Sequence, residues 1–287
     1  MDNNIRYQKV AGQFYEKNPE KLELFIKNSL DDCGQDILPA NAFVNAVIAP
    51  HAGYVFSGKT AIKTISTATK NKYKNIFILA PSHYVGFKGI ALSSFSKYET
   101  PLGYLDVNTK INEEISGKYF IRNNEPHINE HSLEVQLPII KTFFPNTPII
   151  PMICGHTDYS INENITASLI KYWNNDNLWI ISSDFTHYGK NFNYVPFTDN
   201  IKENLKNLDL GAIEKILDIN PKNLYNYLND TGATICGRNP IMILLQMAEN
   251  APNKDLLKTK LIEYSTSGDL TGDYSHTVSY AGITVYS

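Results

Sequence analysis

Short apolar runs alternate with stretches of helical periodicity along most of this 287-residue chain. Runs of four to eight residues rich in Ile, Val, Leu, Phe and Trp, bounded by Pro, Ser or Gly, are typical of buried strands. The strands predicted on this pattern are 44–48, 75–80, 148–153, 178–182, 261–264 and 279–286.

Amphipathic stretches between these runs predict helices. Leu22, Phe25, Ile26 and Leu30 recur at helical spacing, with Asn18 placed to cap the helix and Pro19 at its first position. The helices predicted by spacing are 19–30, 58–68, 160–172, a mainly helical 201–228, and 240–248. Alternating strands and helices predict an α/β fold, with a central mostly parallel or mixed sheet and helices on both faces.

Composition and charge limit the number of domains, the kinds of partner and the location that we expect. The chain shows no linker, low-complexity tract or internal repeat, so we expect a single domain over residues 1–287. A net charge of −3 and the lack of a clustered basic face argue against nucleic acid as a partner. No apolar run approaches the roughly 20 residues of a membrane span, and no signal-peptide pattern is visible. Three widely spaced cysteines fit reduced thiols, so we expect a cytoplasmic protein without membrane contact.

Side chains that could act in catalysis or metal binding follow the ends of the predicted strands. His51 follows the first strand, His83 the second, and Asp184 and His187 follow the strand at 178–182. In open α/β sheets ligands bind outside the carboxyl ends of the strands, so these side chains are expected to meet in one crevice. A single histidine in such a place is also explained as a structural hydrogen-bonding residue. Histidines at equivalent places after three strands favour a site.

A further polar segment contains Glu130, His131 and Glu134. His131 and Glu134 are three residues apart, so they share a helix face if a helix starts there. Glu130 and His131 could supply outer hydrogen bonds to the site or act as an acid–base pair. The alternative is that Glu130 marks a helix N-terminus, where acidic residues are favourable.

Cys236 is followed by Gly237 and a predicted helix, a place where a thiolate is favoured. It is therefore a candidate metal ligand or nucleophile, although a free cysteine also serves as a small buried apolar residue. The second description is the one we expect for Cys33 and Cys154.

Two imidazoles and a thiolate would leave positions open on a metal, as catalytic sites require. The sulfur favours copper(I), zinc or iron over magnesium or calcium, and the residues alone do not choose among them. Glycine-rich phosphate loops, Cys-x-x-Cys pairs and Gly-x-Ser-x-Gly elbows are absent from the sequence, which removes support for nucleotide binding and serine hydrolysis.

With these residues identified, the chain resembles the MEMO family over nearly its whole length. The segments that carry the resemblance are 10–15, 49–54, 81–83, 130–134, 183–189 and 236–238. That family is similar in fold to the class III extradiol ring-cleaving dioxygenases (LigB-like), whose iron is held by two His and a Glu.

The resemblance implies roles for particular residues. By motif, His51 and His83 match the two His ligands of the dioxygenases, and Cys236 falls where those enzymes carry Glu. His187 matches their acid–base His, and Asp184 belongs to the same pocket. A thiolate in place of a carboxylate changes the redox properties and the preferred metal, which weakens the case for ordinary iron(II) ring cleavage.

Two functions follow as expectations. In the first, the chain is a metal-dependent redox or dioxygenase-like enzyme that uses iron or copper, with zinc as a further metal. His187 moves protons, while Asp184, Glu130 and His131 tune or orient the site. The resemblance also implies an association with AMMECR-type proteins and radical S-adenosylmethionine (radical SAM) enzymes.

In the second function, the same pocket is a non-catalytic binding module. Animal members of the family imply recognition of phosphotyrosine-containing partners. Arg238 lies near Cys236 in the sequence, and an Arg side chain is well suited to bidentate contacts with phosphate. The pocket would then take a phosphotyrosine-like or other anionic peptide ligand.

Overall fold

Strands and helices alternate along the described part of the chain, residues 4–31 and 37–287 of a computed structural model. The strands are β1 (Ile5–Arg6), β2 (Val44–Ala49), β3 (Asn75–Pro81), β4 (Ile90–Leu92), β5 (Lys97–Thr100), β6 (Gly103–Asp106), β7 (Phe120–Arg122), β8 (Ile149–Cys154), β9 (Asn177–Ser182), β10 (His187–Gly189), β11 (Lys258–Thr266) and β12 (His276–Tyr286). The helices are α1 (Pro19–Asp31), α2 (Lys59–Ser66), α3 (Thr109–Glu114), α4 (Glu125–Ile128), α5 (His131–Glu134), α6 (Leu137–Phe143), α7 (Tyr159–Leu169), α8 (Ile201–Leu217), α9 (Pro221–Thr231), α10 (Arg238–Glu249) and α11 (Ser267–Thr271). A π-helix at Tyr54–Gly58 leads into α2.

The described strands build one large mixed sheet and one small sheet. The large sheet has the order β10–β12–β2–β9–β3–β8–β4–β7, and β11 also pairs with β12. Its centre, β2–β9–β3–β8, is parallel throughout, whereas β12 and β4 join it antiparallel. The small sheet has the order β1–β5–β6.

Helices cover both faces of the large sheet, as the sequence predicts. In β9, Trp179 and Ile181 pack in one apolar core with residues of α7 to α10. Leu178 and Ile180, which point to the opposite face, pack in a second core with residues of α1, α2, α5 and α6. A strand covered on both sides gains from an apolar residue at every position, which is why the central strands read as continuous apolar runs.

The predicted elements agree with the structure with a few differences in extent. The α1 helix begins at Pro19, and the Asn18 Oδ1 atom accepts a hydrogen bond from the Lys21 N–H at 3.0 Å. The stretch 201–228 is two helices, because Ile219 adopts a positive φ of 49° and Pro221 starts α9. Cys33 lies outside the described residues. No helix among residues 4–31 and 37–287 combines the length and the apolar character that crossing a bilayer requires.

The parallel centre of the sheet positions the candidate site residues. The strands β2, β9 and β3 are neighbours and end at Ala49, Ser182 and Pro81. Since parallel strands end at the same edge of a sheet, the residues that follow them emerge side by side. His51, Asp184 and His83 each lie two residues beyond such a strand end.

Candidate metal centre

Three histidines meet at this edge of the sheet. His51, His83 and His131 each offer a ring nitrogen, and these nitrogens all lie within 4.8 Å of one another. The ring centroids are 5.3 Å apart for His51 and His83 and 4.6 Å apart for His83 and His131. His51 is buried, whereas the other two rings are reachable from solvent. The group could hold a metal ion.

Hydrogen bonds behind His51 fix which of its nitrogens faces the pocket. The Ser182 hydroxyl donates its single hydrogen to the Ser132 carbonyl at 2.6 Å and accepts from the Gln136 amide at 3.0 Å. The His51 Nδ1 atom is 2.8 Å from the same hydroxyl oxygen, so Nδ1 must be the donor in that contact. The neutral His51 ring therefore carries its proton on Nδ1 and presents the Nε2 lone pair to the pocket.

Glu130 fixes His83 in the same way. Its Oε1 atom accepts from His83 Nδ1 at 2.8 Å, and its Oε2 atom accepts from the His83 backbone N–H at 2.6 Å. Burial opposes ionisation of this carboxyl, but hydrogen bonds and charge from His83 outweigh burial and lower its pKa. A carboxylate accepts only, so His83 also carries its proton on Nδ1 and keeps Nε2 free.

Glu130 serves His131 and the helix it begins as well. The predicted helix start is confirmed: α5 begins at His131, and Glu130 caps it by accepting from the Ser132 N–H at 3.1 Å. The same Oε1 atom lies 3.4 Å from His131 Nδ1, and the Tyr84 hydroxyl is 3.1 Å from that nitrogen. The sequence left two roles open for Glu130, a helix cap and a hydrogen-bond partner of the site. Both apply, because this one carboxylate caps α5 and contacts two histidines.

A buried arginine holds this segment in place. The Arg6 guanidinium donates to the carbonyl oxygens of His127 and Glu130, each at 3.0 Å, and pairs with the Glu134 carboxylate. Glu134 also accepts from the Tyr15 hydroxyl at 2.7 Å. Glu134 thus ties the segment from Arg6 to Tyr15 to α5.

Cys236 contacts the histidine group at His51. Its Sγ atom is 3.3 Å from His51 Nε2 and accepts a hydrogen bond from the Asp184 N–H at 3.2 Å. The sulfur lies just before α10, where Gly237 packs so closely on Ser183 that an added Cβ would lie 2.3 Å from the Ser183 Cβ. Burial, and then the charge of Asp184, raise the pKa of the Cys236 thiol. The helix N-terminus alone does not offset that burial, which differs from the expectation of a favoured thiolate.

Asp184 and His187 complete the surroundings. Asp184 Oδ1 accepts from the backbone N–H of His51 at 2.7 Å, and its Oδ2 atom is 3.9 Å from His51 Nε2. Burial raises the Asp184 pKa, while the nearby charge of His187 opposes that rise. His187 Nδ1 lies 3.0 Å from the Phe185 carbonyl and 3.1 Å from the Thr234 carbonyl. Carbonyls accept only, so His187 also carries its proton on Nδ1 and leaves Nε2 free.

The rings of His51 and His131 are neutral at physiological pH. Burial, and then the charges of His83, His131 and His187, lower the pKa of His51 well below its usual 6.5. Burial and the His83 charge lower the pKa of His131 to about 4. A neutral imidazole with a free nitrogen is the form that binds metal.

The contact between Cys236 and His51 has a spacing that fits a transition metal, whereas His83 is grouped with His51 and His131 and not with the sulfur. Typical bond lengths of about 2.3 Å to sulfur and about 2.0 Å to nitrogen place two ligands of one tetrahedral ion roughly 3.5 Å apart. The 3.3 Å between Cys236 Sγ and His51 Nε2 is close to that spacing, and an ion would take the place of the thiol hydrogen. Metal-bound His normally donates its second nitrogen to a fixed acceptor, as His51 and His83 do.

A cavity of about 220 Å³ adjoins the sulfur. Cys236 and Arg238 line it, as do Cys154, His156 and Asn239. Cys154 is buried, as expected of a small apolar residue, and burial raises its thiol pKa to about 12.

The structure thus gathers the residues that the sequence singled out. His131 differs from expectation in one respect: it belongs to the group that could bind an ion, whereas Cys236 contacts that group at His51. Sequence reasoning missed Ser182, Gln136 and Arg6. The first of these has a visible signal, since it ends the strand that precedes Asp184; Gln136 and Arg6 have none.

Known proteins are similar to this chain over nearly its whole length. The sequence pattern of the Memo-like protein family matches residues 6–284. The protein memo-1 homolog of Caenorhabditis elegans is 34% identical over 282 residues, which cover 94% of this chain and 79% of that protein. A MEMO1 family protein of Nitrosopumilus maritimus is 31% identical and covers 97% of this chain and 98% of its own length. Protein MEMO1 of Xenopus laevis is 30% identical, with 94% of each chain covered.

Proposed function

We propose that this chain, which belongs to the Memo-like protein family, is a metal-dependent redox protein whose ion is bound by His51, His83 and Cys236. The observation that carries the proposal is the 3.3 Å contact between the Cys236 sulfur and the free nitrogen of His51. Iron and copper are the ions best matched to imidazole and thiolate together, with zinc as a further candidate.

When bound, iron or copper would supply redox chemistry and polarise an oxygen atom of a substrate. The protein's own contribution is to hold the ligands and to move protons. Ser182 and Glu130 keep the proton of each ligand ring on Nδ1, so that no tautomer change is needed at the pocket.

His187 is the residue we assign to proton transfer. Two carbonyl oxygens hold its Nδ1–H, so Nε2 can accept a proton and return it. The ring is half-buried, which lets a substrate reach it. Asp184 acts as a positioning residue, because it binds the His51 backbone and its charge acts on His187 through space.

Elemental analysis of protein purified without chelator tests the metal site. We expect one equivalent of iron or copper in the wild type and loss of most of it in His51→Ala and Cys236→Ser. His156→Ala is the matched control, because His156 is exposed and stands outside the histidine group. Stoichiometric metal in all four proteins would remove these residues as ligands.

A non-catalytic binding module is the second candidate. It is favoured by the cavity beside Cys236, which Arg238 and His156 line and to which no Asp or Glu among the described residues contributes. Such a lining suits a phosphotyrosine-like or other anionic group. Titration with a phosphotyrosine peptide, with and without metal, tests it, and affinity indifferent to Arg238→Ala would refute it. Association with AMMECR-type and radical SAM proteins stays a prediction from the family resemblance, and a cytoplasmic location stays a prediction from the cysteine pattern.

A further inference from the structure

Asp209, on α8, is a fully buried acidic residue outside the proposed metal site. Its Oδ1 atom accepts hydrogen bonds from the Thr186 N–H at 3.2 Å and from the Thr186 hydroxyl at 2.6 Å. Its Oδ2 atom accepts from the Tyr264 hydroxyl at 2.8 Å. The carboxyl group therefore links α8 to β11 and to the residue that precedes His187.

Packing does not explain an acidic residue at this position. Leu205 and Ile213, one turn before and one turn after Asp209 on the same face of α8, are buried and apolar. Burial raises the pKa of the Asp209 carboxyl, and the hydrogen bonds that it accepts offset only part of that rise. No Lys, Arg or His of residues 4–31 and 37–287 lies within ion-pair distance of it. A buried carboxyl group without a cation costs stability, so its hydrogen bonds point to a role beyond the core.

The Thr186 N–H belongs to a peptide unit that also orients His187. That peptide joins Phe185 to Thr186, and its carbonyl oxygen lies 3.0 Å from His187 Nδ1. A peptide unit is planar, so an acceptor that fixes the N–H also fixes the direction of the C=O. Asp209 therefore holds one side of this peptide, and the His187 ring donates to the other.

The same arrangement strengthens the hydrogen bond to the ring. Hydrogen bonds in a chain polarise one another, so an acceptor on the N–H makes the C=O of that peptide a better acceptor in turn. A hydroxyl donor at 2.6 Å is typical of an ionised carboxylate, the acceptor that polarises a peptide most. The Thr234 carbonyl, at 3.1 Å from Nδ1, completes the pair of acceptors that fixes the His187 ring with Nε2 free.

We propose that Asp209 is a positioning residue for His187 and acts through the peptide that joins Phe185 to Thr186. The inference rests on the proposed role of His187 in proton transfer and adds the group that sets its orientation and tautomer. Asp209 is fully buried, so it meets no substrate and works only through Thr186.

The tautomer of His187 in the metal-free full chain tests this role. Long-range ¹H–¹⁵N correlation spectra, recorded where the ring is neutral, give the ratio of the Nδ1–H form to the Nε2–H form, and His187→Gln identifies its signals. We expect the Nδ1–H form to predominate in the wild type. Asp209→Ala should lower the ratio by about fivefold or more, which corresponds to the net contribution of one hydrogen bond. Asp209→Asn, which keeps one oxygen for the Thr186 N–H, should restore most of it.

Thr186→Val and Tyr264→Phe form a matched pair, since each removes one hydroxyl that donates to Asp209. Only Thr186 belongs to the peptide that contacts His187. Thr186→Val should therefore lower the ratio by about threefold, whereas Tyr264→Phe should leave it unchanged. This pair decides the matter if thermal unfolding shows that Asp209→Ala does not fold.

An unchanged ratio in folded Asp209→Ala, or equal losses in Thr186→Val and Tyr264→Phe, would overturn the proposal and leave Asp209 a structural residue. A wild type whose His187 favours the Nε2–H form would also overturn it. Metal content is measured on separate samples, so a protein that binds no metal refutes the proposed function without changing this result.

Discussion

Substitution of Glu130 is the sharpest test of how the protein orients His83, a proposed metal ligand. The change is Glu130→Gln, which keeps the size of the side chain and replaces one acceptor oxygen with an NH₂ group. Glu130 accepts from the His83 backbone, from His83 Nδ1 and from the Ser132 N–H, at 2.6, 2.8 and 3.1 Å. An NH₂ group cannot accept any of these hydrogens. An NH₂ group in place of Oε2 leaves the His83 backbone N–H unpaired. An NH₂ group in place of Oε1 leaves the Ser132 N–H unpaired and favours transfer of the His83 proton to Nε2.

The size of the effect follows from those contacts. Proton transfer to Nε2 would remove the lone pair that faces the pocket, and loss of an outer hydrogen bond to a metal ligand typically costs about 10- to 100-fold in metal affinity. That range corresponds to about 1.4 to 2.8 kcal/mol of binding free energy. Replacing a charged acceptor of buried donors should also lower the free energy of unfolding by about 1.5–3 kcal/mol.

Metal affinity measured by chelator competition, together with ring ¹⁵N chemical shifts of the histidines, checks this expectation. Glu134→Gln is the matched control: Glu134 is equally buried and pairs with Arg6, but its hydrogen bonds do not reach a ligand ring. It should lose stability while keeping metal affinity. If Glu130→Gln binds metal within twofold of wild type and His83 keeps its proton on Nδ1, the proposed role of this carboxylate is wrong.

Three further predictions concern the same neighbourhood. Ser182→Ala removes the acceptor of His51 Nδ1 and should weaken metal binding by about tenfold, with Ser182→Thr restoring most of the loss if the oxygen is what matters. Gly237→Ala places a Cβ 2.3 Å from that of Ser183, so it should cost about 1–3 kcal/mol of unfolding free energy in chemical denaturation and displace the cysteine sulfur. Burial lowers the pKa of His127 to about 3 and that of His131 to about 4, whereas the unfolded chain protonates these rings near 6.5. The metal-free protein should therefore lose about 1.4 kcal/mol per ring for each pH unit between about 6 and the folded pKa of that ring, and a flat stability curve from pH 6 to pH 5 would contradict this.

Much of the fold is visible in the sequence because the central strands are covered on both faces. Continuous apolar runs such as 75–80 and 178–182 leave little choice of structure, and the strands they predict are confirmed at Asn75–Pro81 and Asn177–Ser182. The short strands β4 and β7 were not predicted. Each has three residues, too few to show a period, and each exists because a neighbouring strand offers an edge to pair with.

The candidate site likewise contains residues that the sequence reveals and residues that it does not. His51, His83 and Asp184 could be found because they follow strong strands, and parallel strands bring such residues to one edge. Arg6 could not be found: its partners around α5 lie 121 to 128 residues away, and nothing near Arg6 in the sequence marks it as buried. Gln136 is similar, since its role depends on a contact with the Ser182 hydroxyl that only the folded chain creates.

The order of strands in the sheet has a consequence for the protein as it is being synthesised. His51 and His83 follow β2 and β3, yet β9 lies between those two strands and reaches the ribosome exit nearly a hundred residues after His83. A nascent chain that ends before Asn177 lacks the strand that sets the spacing between the two histidines. The pair of histidines therefore reaches its final spacing only after β9 has been synthesised and has joined the central sheet.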